Sequence, residues 1–336
     1  VVAVRVAGPN AGHTVIGRCP QGCAQLPEDH HLPEGRTFPA FGYGHRWKLR
    51  SVPVAAVSND DAMLVIAAGS EVDLGVLDHE VDQLDLAGYD VSGRLVVDRS
   101  ATVLTGEHIK IEQDSDLVKR LGSTAKGIGA ARADRVWRTA DLVGSTIGGA
   151  DTVPLIYNWL REGATVLVEG TQGYGLGQHA GSYPQCTSSD CRAIDFLAMA
   201  GLSPWHDAVD EFQVWLAARV RPIRVAGNSG PLKGETTWDA LGLPEERTTV
   251  TNKVRRVGEW DPDMVRDALE ANGGKSVNIA LTMVDSVVPG AADQSSWSAI
   301  DRYSQRQIID LTSKVMGETN GVVKFIGTGP ATGIFL

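Results

Sequence analysis

The chain has 336 residues, with 31 Lys+Arg against 41 Asp+Glu, and a formal net charge of −10. That acidic balance argues against non-specific binding to duplex nucleic acid, and no apolar run reaches the roughly 18 residues of a membrane span. Four cysteines are too few for a disulfide scaffold, and no signal-peptide pattern is read, so the expected location is the cytoplasm.

Taken in chain order, β-branched runs alternate with helical patterns. Strands are expected at Val1–Val6, Met63–Ala67, Leu95–Val97, Thr165–Glu169, Val277–Leu281 and Val322–Ile326. Helices are expected at Val72–Leu86, Ala130–Val143, Thr152–Glu162, Arg192–Ala200, Pro262–Asn272 and Ser304–Met316. The alternation predicts an α/β fold with a mainly parallel sheet, whose ligands sit at the carboxyl ends of the strands. Residues 1–336 are read as a single domain. Val1–Val6 reads as a strand already in progress, which points to processing or to a true N-terminus upstream of Val1. The stretch from Gly17 to Arg50 is rich in turn residues and reads as an irregular hairpin elaboration. It also holds Cys19, Cys23, His30, His31 and His45, but that spacing is not a standard zinc pattern.

Five segments carry chemistry. Asn10-Ala11-Gly12-His13-Thr14 follows the first strand, either as a turn presenting His13 as a general acid or as a plain turn with a surface histidine. Gly122 to Gly129 combines glycines, hydroxyls and Lys126 before a helix, the make-up of a phosphate cradle or of a flexible loop. Glu169 to Gly175 ends a strand, and its Gln172 can donate and accept towards a purine edge. Thr187-Ser188-Ser189 can bind phosphate or cap the next helix. Arg219, Arg221 and Arg224, followed by Lys253, Arg255 and Arg256, suit a small anionic substrate or a solvated ion-pair loop.

In this order and spacing, together with Asp134, Arg138 and Gly327-Thr328-Gly329-Pro330, these motifs resemble the adenylosuccinate synthetase family over nearly the whole chain. The resemblance implies a P-loop-NTPase-like, mainly parallel central sheet flanked by helices. It implies a magnesium-dependent ligase that phosphorylates O6 of a 6-oxopurine nucleotide and then lets the amine of L-aspartate displace the phosphate. His13 and Gln172 match catalytic positions, and Gly12 the carbonyl that touches the metal. Asn10, Ala11, Ser123, Thr124, Gln172, Thr187 and Lys253 match contacts to the substrate nucleotide. Arg138 matches an arginine that crosses into the partner of a homodimer. Val250, Thr251 and Arg255 match the aspartate site. His13, Thr14, Asp285, Gly327, Thr328 and Gly329 match the triphosphate site. The family's N-terminal glycine-rich phosphate loop is expected upstream of Val1.

Three departures set the chain apart. The turn Ala226–Pro231 differs from the common family turn, Lys253 replaces an arginine that reads the ribose, and Met283 replaces a lysine that helps bind guanine. A lysine cannot reproduce the fork of an arginine. These changes resemble the viral branch, which joins aspartate to dGMP using ATP or dATP and supplies 2-aminoadenine DNA precursors in the host cytoplasm. A housekeeping enzyme acting on IMP and GTP is the alternative. An inactive nucleotide-binding paralogue is the alternative of another class.

Overall fold

A computed structural model describes residues 1–18 and 44–336. Cys19, Cys23, His30 and His31, and the side chain of His45, lie outside the described residues. The chain divides into two compact units. One comprises Val1–Gln172, Ile194–Asp210 and Thr249–Thr251; the other comprises Gly173–Ala193, Glu211–Thr248 and Asn252–Leu336.

The first unit is built on a parallel sheet in the order Leu95–Val97, Met63–Ile66, Val2–Arg5, Val166–Glu169. Its central strands are almost continuously apolar, as strands covered on both faces must be. Leu64 and Ile66 pack with Leu77 and Leu84 of the helix Leu74–Leu86. After the first strand the chain turns into a hairpin that pairs His13–Arg18 antiparallel with Gly44–Leu49.

The second unit is built on the order Thr332–Phe335, Val322–Gly329, Val277–Thr282, Val214–Arg219, parallel except for the Thr332–Phe335 edge. The helix Arg302–Thr319 starts on Asp301, whose carboxylate accepts the Tyr303 and Ser304 N–H groups, and closes on left-handed Asn320. Its Ile308 and Val315 pack against Ile279, Leu281 and Ile326.

The helix expected over 130–143 is two pieces, Ile128–Trp137 and Val143–Thr146. Arg138 takes a left-handed conformation (φ 65°) and ends the first piece. Val143 N–H then bonds to the Ala101 carbonyl at 2.9 Å, pulling the chain out of helical register. The helix Gly106–Asp114, capped by Thr105, and the strand Val214–Arg219 have no counterpart among the expected elements. No helix among the described residues is long and apolar enough to cross a membrane.

Candidate active site

In the first unit, the chemistry gathers where strands Val2–Arg5 and Val166–Glu169 end side by side, Arg5 registering with Glu169. Arg5 is 1% exposed. Its Nη2 donates to the Ala11 carbonyl at 2.7 Å and the Arg50 carbonyl at 2.9 Å. Its Nη1 lies 3.2 Å from His13 Nδ1 and 3.6 Å from Glu169 Oε2. Burial pulls the Arg5 pKa down, and the charges of Glu169 and Glu80 oppose it. Glu169 Oε1 accepts the Val54 N–H at 3.0 Å, and Oε2 is 3.5 Å from His13 Nδ1. The His13 side chain stays 29% exposed, so one face of the ring meets buried charge while the ring remains reachable. The turn itself is held by its carbonyls: Ala11 by Arg5, and Pro9 by Arg50 Nε at 2.8 Å.

Gln172 follows Glu169 in the same unit. It is exposed and left-handed (φ 60°), a strained backbone of the kind found at ligand sites. Its Oε1 accepts the Thr171 hydroxyl at 2.6 Å. The amide NH₂ is therefore the end left to donate, which suits a purine 6-oxygen.

The Gly122–Gly129 loop is braced from behind. Buried Glu112 accepts the Gly127 and Gly129 N–H groups, both at 2.7 Å. Gly127 has φ 83°, and a Cβ there would meet the Ile109 nitrogen at 2.8 Å, so both conformation and space require glycine. Two of the four amides at this helix start already serve a carboxylate. Ser123 and Thr124 of the same loop are half-buried. Beyond this loop, His108 Nε2 meets Asp134 at 2.9 Å, and Arg138 is exposed beside Val136 and Trp137, the tryptophan 76% exposed.

Thr249 and Val250 belong to the first unit, and Val250 is buried. A Cβ on Gly12 would clash with Thr249 Cγ2, so Gly12 must present bare backbone. Asn10 and Ala11 are half-buried and Thr14 is exposed.

In the second unit, Thr187 is half-buried on a loop whose hub is Asp190. That carboxylate accepts the N–H groups of His179 at 2.9 Å and Ala180 at 3.2 Å and lies 2.6 Å from His179 Nδ1. Burial pushes the Asp190 pKa up, but these bonds hold it below the usual carboxylate value.

The arginines part ways. Arg224 donates to the Ser229 carbonyl at 2.5 Å. Arg256 binds Glu235 at 2.5 Å and the Gly230 carbonyl at 2.8 Å. These two hold the 226–231 turn, so Arg256 does not join a ligand-binding cluster as its sequence position suggested. Glu246 joins the others: Arg219 Nη2 donates to its Oε2 at 2.5 Å, and Arg255 Nε lies 3.1 Å from its Oε1. Burial lowers the Arg255 pKa against the pull of Glu246. Arg219 Nη2 also lies 2.6 Å from Met283 Sδ. Lys253 is exposed, its backbone paired to Thr248.

Asp285 follows the carboxyl end of strand Val277–Thr282, beside the end of Val322–Gly329. Burial raises its pKa, and the Asp293 charge adds to the rise. Thr328 is 0% exposed, and its hydroxyl is spent on the Gln294 carbonyl at 2.6 Å and on Thr332 at 3.0 Å. It therefore fixes this turn through its hydroxyl.

Arg5, Glu112 and Glu246 are the residues that sequence reasoning missed. Only Arg5 left a signal: a cation inside an otherwise apolar buried strand needs a reason.

The family model for adenylosuccinate synthetase matches residues 40–149 and 145–289. The adenylosuccinate synthetase of Methanosphaera stadtmanae is 30% identical over 98% of this chain and 87% of its own length. That of Pyrococcus horikoshii is 33% identical over 85% and 82%. Among solved structures, the cyanophage S-2L succinoaminodeoxyadenylate synthetase bound to dGMP and dATP superposes with a TM-score of 0.73 at 24% identity, covering 98% of this chain and 85% of that one. The fully ligated adenylosuccinate synthetase of Plasmodium falciparum gives 0.76 at 16%, covering 100% and 93%. This chain belongs to the adenylosuccinate synthetase family of carbon–nitrogen ligases.

Proposed function

We propose that this ligase joins L-aspartate to dGMP, with ATP or dATP as phosphate donor. The observation that carries the reading is the Arg219–Met283 contact. The lysine that the family resemblance places at position 283 would set an ammonium against a guanidinium, and like charges at that range repel strongly. Methionine brings no charge to that position, and guanine loses its cationic partner. Lys253, in place of a ribose-reading arginine, supports a deoxy sugar, and the cyanophage enzyme of the same fold is described with dGMP and dATP. A second reading, IMP with GTP, draws on the archaeal relatives, whose named activity is adenylosuccinate synthesis.

In this reading His13 protonates or stabilises the reacting 6-oxygen, and the Gln172 NH₂ donates to it. Thr187, Ser123 and Thr124 hold the 5′-phosphate, with Asn10 and Ala11 lining the nucleotide site and Lys253 near its sugar. Arg255 grips the aspartate carboxylate, with Val250 and Thr251 beside it. Asp285 and the backbone of Gly327 and Gly329 hold the donor base, and Thr14 lies on the donor side. No cluster of three or more ligating side chains occurs among the described residues. Magnesium needs none, because it keeps water and phosphate oxygens and takes one or two protein ligands, and the bare Gly12 carbonyl suits it. When bound, magnesium neutralises charge on the phosphates.

A homodimer completed by Arg138 accounts for exposed Val136 and Trp137 beside it. Arg138→Ala mixed with His13→Ala should recover activity that neither has alone, and failure to complement rules out a shared site. Phosphate release by the full-length protein, over IMP, GMP and dGMP against ATP, dATP and GTP, tests the specificity. Preference for IMP with GTP overturns it.

A further inference from the structure

His13 Nδ1 has two buried neighbours with opposite demands. Arg5 Nη1, at 3.2 Å, can only donate. Glu169 Oε2, at 3.5 Å, can only accept when ionised, and it is buried without a hydrogen-bond partner. One nitrogen cannot serve both in a single tautomer. The shorter, hydrogen-bonded contact is with Arg5, and Arg5 has little freedom to leave. It is 1% exposed and anchored through Nη2 to the Ala11 and Arg50 carbonyls.

We propose that Arg5 is a positioning residue that fixes neutral His13 in the Nε2–H tautomer, leaving the protonated nitrogen on the ring edge opposite Arg5 and Glu169. The inference rests on the role of His13 given above and names what sets its proton. Ring tautomers are set by the bond that the other nitrogen makes. Glu169 compensates the buried guanidinium and marks where the proton would go if Arg5 were lost. Without a donor at Nδ1, the ring would turn Nδ1–H towards Glu169 Oε2 and present a bare Nε2, which can accept a proton but not give one.

The test is long-range ¹⁵N–¹H correlation on full-length protein labelled at its eight histidines, in alkaline buffer where imidazoles are neutral. His13→Gln identifies the His13 signals. Wild type should show the Nε2–H form, and the Nδ1–H form in wild type overturns the proposal outright. Arg5→Met should switch the ring to Nδ1–H and lower kcat about 100-fold, with the aspartate KM unchanged. Arg5→Lys keeps a donor and should keep Nε2–H. Should Arg5→Met fail to fold, the wild type and Arg5→Lys decide: an Nδ1–H ring in either one overturns the proposal. The ring signals need no substrate, so a wrong choice of substrate silences the assay and leaves the tautomer readable. A turnover-competent enzyme with the other tautomer refutes this inference alone.

Discussion

Two loops, one in each unit, are each held by a carboxylate that accepts two backbone N–H groups. Glu112 holds Gly122–Gly129 from a neighbouring helix and is itself buried. Asp190 holds its loop from within, eleven residues from His179, and also takes that exposed ring. The first brace is part of the packing of its unit. The second is a local clasp open to solvent. The same kind of brace can therefore rest on very different foundations, and the two should fail differently.

The largest effect is expected at Glu112. Glu112→Leu leaves the Gly127 and Gly129 amides without their acceptor, which should cost about 3 kcal/mol. A urea melt checks this, and a loss below about 0.5 kcal/mol would erase the contrast between the loops. Asp190→Ala should leave the melt nearly unchanged while raising the monophosphate KM about tenfold, since only local order is lost. Equal damage to stability would make the two braces alike.

Acid should act on the Asp190 clasp. Bonding holds the folded Asp190 below its usual value. A depressed carboxylate contributes order above the unfolded pKa and loses it as pH falls through the folded one. The clasp should thus hold at neutral pH and open only below about pH 4. Protease cutting at His179–Ala180 that begins near pH 6 would show that the Asp190 carboxylate is not what holds the loop. The smallest effects are expected from the hydroxyls. Thr124→Val and Thr187→Val should each raise the monophosphate KM several-fold, a neutral hydrogen bond being worth about 1 kcal/mol. Titration calorimetry with dGMP measures both.

Much of this was legible in the sequence, for physical reasons. The parallel strands announce themselves because burial on both faces demands unbroken apolar runs, and Leu95–Val97 is found where the pattern put it. Glycines such as Gly127 mark places where a side chain has no room. The braces stayed hidden because a carboxylate's spacing says nothing of which amides it will meet in space. Glu112 sits on a helix of low apolar content that reads as surface. The hydroxyl bond of Thr328 was equally hidden: its motif marks a strand end, and only the fold shows that the hydroxyl closes a turn there. Arg138 broke an expected helix because a left-handed residue is not foreshadowed by residue type when that residue is an arginine.

The Arg219–Met283 contact carries a historical consequence. Arg219 is committed to Glu246 on one side and to the Met283 sulfur on the other. A lineage moving between methionine and lysine at position 283 could not take that step alone, because the intermediate would press two cations together. The neighbouring arginine would have to turn away or be replaced first. Under the proposed donor assignment, donor choice is then an epistatic trait, reached by ordered paired changes.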